Sequence, residues 1–525
     1  MWFHRETGFG VRAEPGRLAL TAIIWLMLLF TGCSVGPDYV KPPTAAPEAY
    51  KENAGWKVAQ PKDELSRGAW WEIYNDPKLN ALVAQVDINN QNIAAAEANF
   101  RQSLALIRVA RGAYFPTVTG GPSWSRFKRS ENLSSSNRNL AGASGTGVTS
   151  GNISTAPGAT LSDYLLNLAA TWELDIWGQV RRSVESSKAS AQAVAANLEV
   201  ARLSAQATLA QNYFLLRAID SQKQLFDNTV AAYQKILDLT KNRYAVGVAS
   251  KGDVMQAETQ VKSTKAQAID LGVQRAKLEH AIAALLGKPA SSFSIPVTPL
   301  TLKVPPIPAG VPSELLERRP DIAAAERNMA AANAQIGVAI AAYYPTITLS
   351  ATGGFEASTA PLWFTWPSRF WSLGAAAAQT IFQGGALVAQ TDAARAAYDS
   401  NVAAYRQTVL TGFQEVEDNL AALRILEQEN RVQDEAVKAA QQSLTVSTNQ
   451  YRAGIINHLD LLVVETIALN NERTAITILG SRMSASVLLI KALGGGWKAT
   501  DLPDVASWSP KSSSASHPQA SPRQE

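Results

Sequence analysis

Few side chains in this sequence are suited to covalent chemistry, and the most suggestive is a thiol. Cys33 is the single cysteine, so an internal disulfide and a cysteine-based metal site are both excluded. Arg5, Arg12 and Arg17 precede an apolar run, Leu18 to Phe30, that closes on Thr31-Gly32-Cys33. That run is too short to cross a bilayer, and the order basic, apolar, small is that of a secretory signal. Ending on a lone cysteine, it looks like a bacterial lipobox, in which Cys33 carries lipid and becomes the mature N-terminus. An ordinary signal peptide with an incidental cysteine is the alternative. Ser34 follows, where an aspartate would suggest retention at the inner membrane.

The remaining reactive side chains form no catalytic set. Four scattered histidines make no metal constellation, and neither a nucleophile elbow nor a P-loop is present. The glycines from Gly142 to Gly147 resemble a phosphate loop, but no helix follows them. The pair Arg318-Arg319 reads as packing ahead of a helix started by Pro320. Two carboxylates, Asp253 and Asp460, lie six residues after Gly247 and Gly454. At the start of a returning helix, an aspartate is a good cap. We therefore expect no enzyme and no cofactor beyond a covalent lipid on Cys33.

The elements that position these residues occur twice. Ile93 to Thr119 (IAAAEANFRQSLALIRVARGAYFPTVT) and Ile322 to Thr348 (IAAAERNMAAANAQIGVAIAAYYPTIT) are 229 positions apart and agree at 15 of 27 positions, too many for accident. Each is an Ala-rich helical run ending at a proline, so the switch from helix to strand falls near Phe115 and Tyr344. Further on, Tyr244, Gly247, Asp253, Glu258, Thr259 and Gly287 return 207 positions later as Tyr451, Gly454, Asp460, Glu465, Thr466 and Gly494. Each copy reads helix, β-hairpin, long helix, turn, helix. The first hairpin has the longer tip, Lys128 to Thr160, rich in Ser, Asn and Gly and read as a solvated loop.

The strands alternate. Leu166, Leu168, Ala170 and Trp172 share one face, against Asn167, Thr171 and Glu173 on the other; Ile347, Leu349, Ala351 and Phe355 repeat the pattern. Such alternation fits a transmembrane β-barrel wall or a half-buried soluble sheet. The cluster Trp363, Phe364, Trp366, Phe370 and Trp371 favours the membrane, because aromatic rings anchor at the interface. A transmembrane barrel needs about eight strands, so four per chain require two or more chains. The run from Gly178 to Ala245 is long enough for ~100 Å of helix. Its flanking helices, 78–113 and 253–286, are each about half that. Phe226, Val230, Tyr233, Leu237, Thr240 and Tyr244 step by 4 and 3 as a heptad seam, repeated by Val437, Ala440, Leu444, Ser447 and Tyr451. The pair Trp70-Trp71 reads as core.

Charged residues are 18% and net charge is +4, so no nucleic-acid surface is implied. We expect a signal peptide at 1–32, a lipid-anchored extended segment at 33–75, repeat 1 at 76–287, a proline-rich linker at 288–312, repeat 2 at 313–494, and a disordered tail at 495–525.

Cys33 with Pro37 and Tyr39, Trp70-Trp71 with Asp76-Pro77, Ile307 to Ser313 (IPAGVPS), Leu315-Leu316, and Arg318 to Ile322 (RRPDI) together resemble the TolC-like outer-membrane factors. The likeness is to their lipoprotein (NodT-type) branch, which serves resistance-nodulation-division efflux pumps. The resemblance implies an α+β membrane protein: a long α-helical barrel continuous with a transmembrane β-barrel, four strands from each chain of a homotrimer. It implies a passive exit duct in the outer membrane, reaching into the periplasm to meet an adaptor (membrane fusion) protein and an inner-membrane pump. Alternatives are an exit duct for type I protein secretion, or a lipid-anchored periplasmic adaptor or scaffold. An adaptor should carry one helical hairpin, whereas this chain has two interleaved with amphipathic strands.

In such ducts, acidic residues at the distal turns narrow a closed periplasmic mouth. By resemblance the gate is Asp253, Tyr451, Leu459 and Asp460, with Tyr451 able to donate to Asp253 and Leu459 adding an apolar constriction. Three carboxylates ~6 Å apart repel by roughly 3 kcal/mol per pair at an effective dielectric of 20, so a closed ring needs cations, protons or donors.

Overall fold

Asp76 and Pro77 show how the first helix starts. The Asp76 carboxylate accepts from the backbone N–H groups of Lys78 and Leu79 at 2.9 and 3.3 Å, and Pro77 sits in the first turn, where its missing N–H costs nothing. The computed structural model describes residues 34–43, 47, 50–52, 69–128, 160–307 and 315–505. The signal segment, Cys33, the first hairpin tip at 129–159, the linker signature at 308–313 and the tail from 506 onward lie outside the described residues.

The main elements are α1 (Pro77–Asn89), α2 (Gln91–Gly112), β1 (Thr117–Lys128), β2 (Thr160–Glu173), α3 (Gln179–Ala245), α4 (Lys251–Leu285), α5 (Pro320–Ala341), β3 (Thr346–Ala357), β4 (Arg369–Ala378), α6 (Ala386–Ala453) and α7 (His458–Ala492). The order repeats, and the two long helices have 67 and 68 residues. A half-helix expected as one piece from 78 to 113 is broken. Asn90 is extended (ψ 123°), and its side chain caps α2 by accepting from the N–H groups of Asn92 and Ile93. The second copy breaks at the equivalent Arg319, where Pro320 disfavours a helical residue before it.

The chain divides into two compact units. The first comprises residues 1–38, 107–186 and 333–396 and holds an antiparallel sheet of order β1-β2-β3-β4. The hairpins β1–β2 and β3–β4 are joined by β2–β3 pairing, which sets Leu166 opposite Phe355 and Trp172 opposite Leu349. The register puts Trp124, Leu166, Leu168, Trp172, Ile347, Leu349, Phe355, Trp371 and Leu373 on one face, while Phe127, Leu161, Leu165 and Phe370 fall on the other near the tips. At the foot of the sheet, Trp177 donates to Pro345 O at 2.8 Å and stacks on Tyr344.

The second unit holds the main core. Trp70 and Trp71 pack edge to face at 5.8 Å with Leu79, Tyr213, Phe214, Ile282 and Met483 around them. Two matching contacts tie the repeats together. Asn90 Nδ2 donates to Leu285 O at 2.8 Å, and Arg319 Nη1 donates to Ala492 O at 3.1 Å. Gly287 abuts Asn89 O, and Gly494 abuts Arg318 O, each at positive φ where a side chain would collide. These partners are related by the same two offsets, 229 and 207, that the sequence repeat shows. Among the described helices α7 is long and apolar enough to cross a membrane by length and composition, but half of that apolar window is buried in the protein.

Candidate functional site: the two distal turns

Both turns lie in the second unit and are built alike. Gly247 and Gly454 each have φ of +80°, the left-handed conformation that ends a helix without a steric penalty. Val248 N–H returns to Arg243 O at 2.8 Å, and Ile455 N–H returns to Gln450 O at 2.9 Å, satisfying carbonyls the helix leaves unpaired. The next helix starts on a cap in each case. Ser250 Oγ accepts from Asp253 N–H at 3.1 Å, while Asp253 Oδ2 accepts from Ser250 N–H at 2.9 Å, a reciprocal capping box. Asn457 Oδ1 accepts from Asp460 N–H at 2.8 Å, and Asp460 itself is exposed. Asp253 therefore has a capping duty within its own chain.

Tyr451 and its repeat mate Tyr244 have different surroundings. Tyr244 is 48% exposed, whereas Tyr451 is 3% exposed and ends the seam of α6. The Tyr451 hydroxyl pairs with Thr240 Oγ1 at 2.7 Å. Arg243 lies over its ring at 4.6 Å and donates to the carbonyls of Tyr451 and Arg452, binding the end of α6 to α3. Within one chain, then, this hydroxyl is held by Thr240. Leu459 is exposed, as are Val246, Val248 and Ile455 at the same end.

Two residues that sequence reasoning passed over sit beside these. His458 is 3% exposed, its ring is 5.8 Å from that of Tyr451, and neither ring nitrogen has a hydrogen-bond partner. Burial pushes its pKa down, and the nearby Asp253 charge pushes back. Glu465, two turns along α7, is 6% exposed, and burial pushes it up to about 7. Burial, then the Glu465 charge, also raise Tyr233 of α3 to about 12. The only sequence signal for Glu465 was its place in the repeat. Groups of three or more metal-ligating side chains are absent among the described residues.

The family model for outer membrane efflux proteins matches residues 82–288 and 311–495. Over 493 residues the chain is 31% identical to the probable efflux pump outer membrane protein TtgC of Pseudomonas putida, covering 91% of this chain and 95% of that protein. It is 29% identical over 479 residues to the pyoverdine export outer membrane protein OpmQ of Pseudomonas aeruginosa, covering 91% and 97%. Among solved structures, the outer-membrane channel OprN matches with a TM-score of 0.79 at 29% identity, covering 89% of this chain and 100% of that one.

Proposed function

Because the chain belongs to the outer membrane efflux protein family and is, like its members, a channel and not an enzyme, we propose that it acts as a passive homotrimeric exit duct, gated at its distal turns. The observation that carries the trimer is the open four-stranded sheet. Edge strands β1 and β4 each lack one neighbour, and an amphipathic sheet of four strands cannot cover its own edges in a bilayer. Joining β4 of one copy to β1 of the next closes a ring without edges, and twelve strands leave a lumen that eight would fill with side chains. The polar face, with Thr119, Ser123, Asn167 and Ser350, then lines a water-filled passage, and the apolar face meets lipid.

The hairpin tips face the exterior, and the helices reach into the periplasm to meet an adaptor and an inner-membrane pump. The description of TtgC as an efflux pump outer membrane protein supports a pump as partner. Lipid on Cys33 tethers the N-terminal segment to the inner leaflet. Asp253 and Asp460 supply negative charge at the mouth, Leu459 an apolar constriction, and Tyr451 the anchor that holds α6 closed against α3. The lumen face offers hydroxyls, amides and, near the tips, the carboxylates of Asp163 and Glu356, a general polar lining that suits a duct whose pump selects the cargo.

Inter-chain crosslinking tests the assembly. Cysteines placed on β1 (Ser123 or Ser125) and β4 (Ser372) should link chains into a ladder ending at the trimer. A ladder ending at the dimer would mean an eight-stranded barrel and refute the proposal.

A further inference from the structure

We propose that the tipward ends of the two edge strands form a binding site for the phosphates of the outer-leaflet glycolipid, one site at each seam between copies. This rests on the trimeric barrel reading above. The strand register carries the inference. Arg126 pairs with Ser162, Lys128 with Thr160, and Arg369 with Phe355. All three cations therefore fall on the face that carries Trp124, Leu166, Leu168, Trp371 and Leu373, the face turned to lipid. The opposite face at the same end carries Asp163 and Glu356, near enough to one another for their charges to interact. Charge is sorted by face, with cations toward the membrane and carboxylates toward the lumen.

A cation on an apolar barrel face is costly in the hydrocarbon and favourable where headgroups carry phosphate. These cations lie at the second level. Trp124, Tyr164 and Trp363 form a chain of rings, with centroids 6.4 and 5.6 Å apart, that marks the interface. Arg126 lies two residues beyond Trp124, about 7 Å further from the hydrocarbon. The Arg369 guanidinium rests over the Trp366 ring, and Arg369 Nε donates to Trp366 O at 3.2 Å, fixing the head at the start of β4 beside the second hairpin tip.

Within one chain β1 and β4 are separated by β2 and β3, about 14 Å across the sheet. In a closed ring β4 of one copy is the direct neighbour of β1 of the next, about 5 Å away. Arg369 from one copy then flanks the same seam as Arg126 and Lys128 from the next. Two planar guanidinium forks and one ammonium match a ligand with two phosphates better than a headgroup with one. At the exterior end of an outer-membrane barrel, that ligand is a phosphorylated glycolipid.

The test uses the purified full-length trimer in lipid nanodiscs, titrated with bisphosphorylated lipid A, dephosphorylated lipid A, phosphatidylglycerol and inorganic phosphate. The wild type should bind the bisphosphorylated lipid. The combined variant Arg126→Ala, Lys128→Ala, Arg369→Ala should bind it on the order of a hundredfold more weakly, about fivefold per cation. The dephosphorylated lipid should lose affinity to a similar extent. Equal binding by wild type and variant, or equal binding of phosphatidylglycerol, would overturn the proposal. Competition by inorganic phosphate at matched phosphate concentration would also overturn it, since the site would then take free anions. Channel conductance in planar bilayers is measured on every variant. Conducting channels with unchanged lipid affinity refute the site alone, whereas a wild type that forms no channel refutes the barrel reading beneath it. If the alanine variant fails to assemble, the same three positions changed to glutamine give the same comparison.

Discussion

Replacing Glu465 with Gln should make the start of α7 more resistant to opening above pH 4.5, with the full effect reached at neutral pH. Glu465 is buried on α7, and its pKa rises from 4.5 to about 7 because burial disfavours the charged form. A rise of that size corresponds to about 3 kcal/mol. Its sign follows from proton counting. Between pH 4.5 and 7 the folded segment keeps a proton that the opened segment has released, so stability falls as pH rises through this window. The penalty is absent below pH 4.5 and complete above pH 7. Gln keeps the size and hydrogen-bonding capacity of the protonated acid and cannot ionise, so it removes the penalty. Amide hydrogen exchange over 458–468, corrected for intrinsic rates, should be equal in the two proteins at pH 4.5. At pH 8 it should be roughly a hundredfold slower in the variant. His458 contributes with the opposite sign, since a lowered pKa makes its stabilisation present above pH 6.5 and lost on acidification. It is common to both proteins and cancels in their ratio. A ratio that stays flat from pH 4.5 to 8 would refute the assignment of a buried, protonated Glu465.

Further outcomes can be checked directly. Asp253→Ala removes the acceptor of a capping box and should cost about 1 kcal/mol at the start of α4; with Tyr451→Phe it should raise closed-state conductance in planar bilayers. Asp460→Ala should weaken block by divalent cations added from the periplasmic side. If block and conductance are unchanged in all three, the aspartates are caps and the gate lies elsewhere. Gly494→Ala places a side chain against Arg318 O at φ +91° and should cost at least 1–3 kcal/mol, read as a lower melting temperature of the assembled protein. Cys33→Ala should abolish incorporation of labelled palmitate while leaving the barrel in the membrane, since one lipid chain anchors less firmly than a spanning structure.

Periodicity made the elements legible, because it reports which face of an element is covered and needs no partner to be named. Pro116 and Pro345 mark both helix-to-strand switches, and the alternation in β2 and β3 specifies the faces that the register then aligns. The heptad seam likewise holds for Phe226, Tyr233, Leu237 and Thr240, all buried. It fails at Tyr244, which is exposed although its repeat mate Tyr451 is buried. The same residue at the same place in two copies has two fates because Tyr451 meets α3 through Thr240 and Arg243, a contact between copies that neither copy encodes alone. The break at Arg319 was visible through Pro320, whereas the equivalent break at Asn90 has no proline and depends on its carbonyl partner Leu285. His458 and Glu465 were hidden for a related reason. A polar residue on a helix reads as solvent-facing until the neighbouring helices are placed, and burial is what shifts their proton affinities. The charge sorting at the strand tips needs the register of all four strands, since a slip of one residue would send Arg126 to the lumen and Asp163 to the lipid. What stayed illegible is therefore pairwise. The Thr240–Tyr451 pair and the Asn90–Leu285 bond join positions 211 and 195 residues apart, a separation no local pattern spans.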